Sequence, residues 1–259
     1  PPVYILTLVA LLVNHLSRSQ QYVCDLSPNK PCLILLGLGF LTMMFNGVKY
    51  GVIAYYFKYY VGDELLAGQY FAGLLMVSVV GALCTDKLVA LWGRKRLFII
   101  ALLASSVLTS ALFWVGSSQI TLIFVLGCGA EFFAAMMPTL FFSMLGDSAD
   151  YSEWKTGRRA TGLVFSAGTF VQKTGGGFAG ALVLVVLASY GYDGMAPEAI
   201  DNALPGIVLL MSFIPTVFAV LGAILMSFYP ISDAQQQAMT ETLIERRSKQ
   251  QASVADARA

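Results

Sequence analysis

Six apolar runs, each long enough to cross a bilayer, dominate this chain: 33–61, 68–92, 97–117, 119–146, 160–190 and 206–230. A helix needs about 18–20 mostly apolar residues to span a hydrocarbon core. Backbone N–H and C=O groups find no water there, so only helices or a closed barrel can span it. The alternating segments of about ten residues that mark barrel strands are absent. The chain therefore reads as an all-α integral membrane bundle. Composition agrees, with 57% of the 259 residues hydrophobic and 12% charged, against about half and about a quarter in soluble domains.

Several function classes drop out. The net charge is +1 and no basic block lies in a soluble segment, so nucleic acid is not an expected partner. One histidine, His15, cannot make a multi-His metal site. Cys24, Cys32, Cys84 and Cys128 form no C-x-x-C pair, and Cys84 and Cys128 read as small buried hydrophobes. No G-x-S-x-G, H-E-x-x-H or P-loop points to an enzyme. No cofactor is implied.

The organisation follows from the runs. Residues 1–32 hold an apolar run, 3–13, too short to span, which reads as the cut end of a preceding span followed by a linker. Residues 33–230 form the six-helix bundle. Residues 231–259 are polar helix formers, expected as a short helix that frays into disorder.

Lysine and arginine set the orientation. Arg18 and Lys30 precede the first span. Arg94, Lys95 and Arg96 follow the second, and Lys155, Arg158 and Arg159 follow the fourth. Arg246, Arg247, Lys249 and Arg258 lie in the tail. All fall on one side, and the links on the other side contain no Lys or Arg. The positive-inside rule makes the first side cytoplasmic, with both ends inside. "AYYFKYY" (54–60) ends the first span outside as an aromatic belt, from which Lys58 can snorkel.

Few ionisable groups lie within spans: Lys49, Glu131 and Lys173 near mid-depth, and Asp86 with Lys87 near the inner end of the second. By helical rise, Lys173 lies about 20 Å from the inner start of its span and Glu131 about 18 Å from the outer start of its own. A charge at that depth should face a cavity or a partner. Such charges fall on spans one, four and five, but not three and six, as if some helices lined an aqueous cavity and others shielded it. Ser166, Thr169, Phe170, Gly176, Gly177 and Gly180 share the face of Lys173. That face reads either as a cavity wall with a cationic coupling or substrate group, or as a small-residue packing face. Asn46, Lys49 and Tyr50 share a face of span one and could donate to sugar hydroxyls, or simply bond between helices. Glu131 could be the partner of Lys173, a proton carrier or a cation ligand, the first being favoured because pairing lowers the cost of both charges. Pro138 and Pro215 are expected kinks. Gly175, Gly177 and Gly180 spell G-x-G-x-x-G, with Asp193 beyond, but inside a membrane helix the pattern is no nucleotide loop.

Two stretches carry a resemblance: "GDSADYSEWKTGRRATGLVFSAGTFVQKTGGGFAG" (146–180) and "NGVKYGVIAYYFKYYVGDE" (46–64), with "GRKR" (93–96) further on. The D-Y-x-E-W-K-T-G-x-R stretch, then a span with F-x-x-K-x-G, resembles the C-terminal half of a glycoside–pentoside–hexuronide:cation symporter. That is the melibiose-permease-like branch of the major facilitator superfamily. The resemblance implies twelve helices in two six-helix halves in a bacterial inner (plasma) membrane. A sugar or glycoside would bind between the halves, and Na⁺ or H⁺ would move with it by alternating access. The spans here would be helices seven to twelve, with seven, eight, ten and eleven lining the cavity. Lys173 matches the family's helix-eleven lysine, near the cation and sugar sites. Asp147, Asp150, Tyr151, Glu153, Trp154, Lys155, Gly157, Arg158 and Arg159 fall in its cytoplasmic loop, whose ion pairs would close the inner gate. Asp86 with Arg94, Lys95 and Arg96 is similar to the superfamily's conformational lock, although the spacing is longer. The Na⁺ ligands are expected in the N-terminal half. The alternative is a non-transporting membrane interaction protein or degenerate remnant.

Overall fold

A computed structural model describes residues 29–157, 161–192 and 200–256. Six helical stretches are long and apolar enough to cross a membrane: Lys30–Val61, Leu65–Trp92, Arg94–Trp114, Ile120–Thr156, Thr161–Ser189 and Asn202–Ser227. Among the described residues no strand occurs. The all-α bundle expected from hydropathy is what the chain forms.

Span one is α1 (Lys30–Tyr55), continued by a π-helical turn, Tyr56–Val61. Asn29 caps its start. The side chain accepts from the Cys32 amide at 3.1 Å, donates to the Ser148 carbonyl at 2.8 Å, and Pro31 sits in the first turn where no N–H is needed. Span two is α2 (Leu65–Trp92). Span three is α3 (Arg94–Ala111), closed by a 3₁₀ turn, Leu112–Trp114.

Span four is α4 (Ile120–Ala134) and α5 (Met136–Thr156). Span five is α6 (Thr161–Ser189), and span six is α7 (Ile200–Met211) and α8 (Phe213–Ser227). The two expected kinks fall at Ala135 and Ser212, each three residues before a proline. Pro138 and Pro215 have no N–H to return to the preceding turn. Around the break in span six, hydroxyls donate to the backbone one turn back: Ser212 to Val208 O at 2.6 Å, and Thr216 to Ser212 O at 2.8 Å.

α1 is the central helix and packs along α6 and α8. α3 joins α8 to α4, and α4 joins α3 to α2. α1 and α2 make no extended contact, which leaves a cleft between them backed by span four. At one end of the bundle, Leu35, Phe98, Phe141, Met144 and Met226 belong to one apolar cluster. At the other, Val52, Tyr56, Phe57, Tyr70 and Leu187 belong to a second. In chain order, Lys49 and Glu131 fall where the clusters meet.

Two polar segments differ from expectation. The motif 146–156, read as a loop, is helix through Thr156; α5 ends only at Gly157, whose left-handed φ of 72° few other residues adopt. Hydropathy misses this because the buried face there is small and polar: Ser148, Ala149 and Ser152. The tail is not a short fraying helix but α9 (Asp233–Asp256), whose Met239 and Leu243 are buried. Arg158 and Arg159, assigned to the motif, lie outside the described residues, as do His15, Cys24 and Asp193.

Candidate functional site

The mid-depth charges do not pair as expected. Lys49 Nζ lies 2.8 Å from Glu131 Oε2, and both side chains are only 3% exposed. Tyr50 Oη donates to the other oxygen, Oε1, at 2.6 Å. Glu131 is therefore not the partner of Lys173. The cause is helix rotation. On α6, Gly175 and Ala179 face α1, and Lys173, two residues from Gly175, points about 200° away from that contact. Lys49 faces inward from α1, so its ammonium meets the carboxylate of span four.

The ammonium is held further by two aromatic faces, with Phe45 and Tyr50 ring centroids 5.3 and 5.1 Å from Nζ. Both charges are taken out of water, yet each has a partner, so the cost of burial is offset. Removing one partner alone leaves an uncompensated ion and costs about 3–5 kcal/mol.

The triad backs a cleft of about 500 Å³. Its walls are Asn46 and Tyr50 from α1, Ser78 and Ala82 from α2, and Glu131 and Thr139 from span four. Lys49 does not line it. The expectation that Asn46, Lys49 and Tyr50 would together offer donors to a ligand therefore changes: Lys49 is spent on Glu131, while Asn46 and Tyr50 face the cleft. Asn46 Oδ1 is buried with no hydrogen-bond partner.

In the second apolar cluster the rings of Phe57, Tyr70 and Phe124 pack together, with Phe57–Tyr70 and Tyr70–Phe124 centroids 5.0 and 5.2 Å apart. Gly127 admits Tyr70, since a Cβ there would lie 1.8 Å from its hydroxyl. Nearby, the Tyr59 and Tyr192 hydroxyls bond at 3.1 Å. That bond, with lesser help from burial, holds Tyr192 up at about 12, so it stays protonated at neutral pH.

Lys173, Ser166, Thr169 and Phe170 lie exposed on α6, and no described residue forms an ion pair with Lys173. The glycines around it divide into two sets. Gly168 and Gly175 are closely packed, a Cβ on Gly175 lying 2.9 Å from Phe40 O, whereas Gly177 and Gly180 have open space beside them. The packing face and the lysine face are thus different faces of one helix.

At the basic end, Arg94 pairs with Asp147. Gln236 of α9 bridges the pair, accepting from Arg94 at 3.0 Å and donating to Asp147 at 3.0 Å. Lys95 donates to Ser227 O and Tyr229 O at 2.8 and 2.6 Å, tying α3 to the end of α8. Arg246 donates to Trp154 O at 3.2 Å, and Lys155 lies over the Tyr151 ring. Glu153 and Asp150 sit half-buried on α5. Asp86 and Arg96 are exposed, and among the described residues Asp86 has no ion pair. Sequence reasoning missed Gln236. The available signal was the 3-4-3 spacing of Gln236, Met239, Leu243 and Arg246, one face of a helix.

Residues 19–233 match the family model described as MFS/sugar transport protein, and the chain belongs to that family. The glycoside–pentoside–hexuronide resemblance carried by residues 46–64 and 146–180 agrees with this match and with the relatives. "Putative glycoside/cation symporter YagG" of Escherichia coli (strain K12) is 28% identical over 262 residues, covering 96% of this chain and 57% of that protein. "Putative sulfoquinovose importer" of the same organism is 27% identical, covering 92% and 51%. "Isoprimeverose transporter" of Lactiplantibacillus pentosus is 27% identical, covering 89% and 48%. The chain spans about half the length of these relatives.

Proposed function

We propose that these six spans are the C-terminal half of a twelve-helix sugar or glycoside:cation symporter that works by alternating access. One observation carries the reading: an open cleft at mid-depth, walled by polar Asn46, Tyr50 and Glu131, inside a bundle that otherwise has apolar cores. A packing-only bundle has no use for a buried ion pair beside an open, mostly apolar cleft that carries a few polar groups. The names of two relatives, a glycoside/cation symporter and an isoprimeverose transporter, support a sugar as cargo.

In this reading the N-terminal half faces the cleft and the exposed face of α6, and supplies the cation ligands for Na⁺ or H⁺. Lys173 senses occupancy of the shared cavity by its charge. The basic end is cytoplasmic, so both ends lie inside a bacterial inner membrane. There the Arg94–Asp147–Gln236 cluster and Tyr151–Lys155 form part of the gate that opens as the halves rock. Labelled-glycoside uptake by the full-length protein, with and without Na⁺ and with and without a proton gradient, tests the reading. Accumulation driven by one of the two cations is expected. Equal levels in every condition, matching cells that lack the protein, would overturn it.

A further inference from the structure

Resting on the transport reading, the cleft's chemistry says which part of a ligand it can hold. Both oxygens of the Glu131 carboxylate are engaged: Lys49 Nζ at 2.8 Å on one, Tyr50 Oη at 2.6 Å on the other. An ionised carboxylate only accepts, so the phenolic proton of Tyr50 is committed to it, and Tyr50 Oη can offer the cleft nothing but a lone pair. Ser78, also on the wall, commits its proton to Leu75 O at 2.8 Å and is left accepting. Asn46 Oδ1 is buried without a partner and, as the side chain stands, is out of reach of a ligand in the cleft. Donors on the wall are neutral: the Asn46 amide nitrogen and the Thr139 hydroxyl. Among the described residues no cation lines the cleft, because Lys49 sits behind the carboxylate, and Lys173 is on another helix and not among the lining residues.

We infer that this cleft is a specificity site for the uncharged, hydroxyl-bearing edge of a sugar, with Tyr50 as its specificity-determining acceptor, and that it rejects carboxylated or sulfonated sugars. A hydroxyl can donate to Tyr50 or Ser78. An acid group in the same place sets acceptor against acceptor, beside the Glu131 carboxylate, and loses its hydration with no cation on this wall to replace it. Lys49 and Glu131 are positioning residues here: the ammonium holds the carboxylate in place, and the carboxylate fixes the direction of the Tyr50 hydroxyl.

The test uses the full-length protein in cells and matched sugars that differ only in charge: methyl glucoside with methyl glucuronide, and methyl galactoside with methyl galacturonide, both anomers, labelled. Uptake of a neutral member is expected, with its acidic partner neither taken up nor competing at saturating excess. Tyr50→Phe should raise KM for the neutral sugar about tenfold, the worth of one hydrogen bond to a sugar hydroxyl, with a smaller change in kcat. Fluoro analogues of that sugar, which keep an acceptor but lose a donor, should bind the wild-type protein more weakly at one hydroxyl position at least. This arm needs no variant to fold. Acidic members transported or competing as well as neutral ones would overturn the specificity while leaving transport standing, as would fluoro analogues that compete undiminished at every position. Uptake of none of the sugars would overturn the transport reading and this inference together.

Discussion

At the scale of single residues, the Lys49–Glu131 pair makes the sharpest statement. Each ion is tolerated because the other is there, and Tyr50 satisfies the remaining oxygen. Glu131→Gln leaves a buried ammonium without its counter-ion, and Lys49→Met leaves a buried carboxylate. Either change should lower stability by about 3–5 kcal/mol, whereas the double variant removes both charges and should regain most of that loss. Thermal unfolding of the four purified proteins in detergent gives the cycle. Equal losses that simply add would mean that the ions are not coupled. The sequence placed both charges at mid-depth by counting residues, but pairing depends on the angle at which each helix presents its side chain. That angle is fixed by which glycines touch which neighbours, and no residue count along one helix contains it. Lys173 and Lys49 looked equivalent as partners for Glu131 until α6 was seen to turn Lys173 away.

At the scale of elements, small residues decide how closely helices approach. Gly47 sits where a Cβ would lie 2.6 Å from Ala179 Cβ, and Gly81 where it would lie 2.4 Å from the Phe132 carbonyl oxygen. Backbone cannot yield as a side-chain tip can. Gly81→Ala should therefore separate α2 from α4 and cost about 1–3 kcal/mol, as overpacking generally does. Gly180→Ala, with open space beside it, should leave melting within about 0.5 kcal/mol of wild type. The comparison is read from thermal unfolding of the two variants, and equal melting would remove the close approach as the reason for glycine at 81. All six spans were legible as apolar runs because the bilayer demands length, and both kinks because proline demands a break. The end of α5 was not, nor were the length and the buried face of α9. Their buried faces use Ser148, Ala149, Ser152, Met239 and Leu243 among charged neighbours, so hydropathy averaged over a window sees only polarity. Half of the candidate site was legible in the same limited sense. Asn46 and Tyr50 were found, but the cleft between α1 and α2 exists only because those helices stay apart.

At the scale of the molecule, two devices sit at different levels of the bundle, one at the basic end and one within the spans. At the basic end, Arg94, Asp147 and Gln236 join α3, α5 and α9, so the tail reports on the position of two spans. Arg94→Asp and Asp147→Arg should each impair uptake by the full-length protein through like-charge contact, and the double swap should restore it more than either alone. Failure of the swap at normal membrane levels would assign these residues to folding rather than gating. Within the membrane, Lys173 has the opposite character to Lys49: exposed, without an ion-pair partner among the described residues, and on the face of α6 that the bundle leaves uncovered. A cation kept at that depth without a local partner is stabilised only by water in a cavity or by acids on another element. If the N-terminal half supplies those acids, Lys173→Ala removes the electrostatic link between the halves without touching the packing of α6, whose contacts run through Gly168, Gly175 and Ala179. Melting should stay close to wild type while cation-driven accumulation falls to background and sugar exchange without a gradient persists in part. Uptake and melting measured on the same preparation separate the two outcomes. Lowered melting would place Lys173 in the fold, and normal gradient-driven accumulation would remove it from coupling.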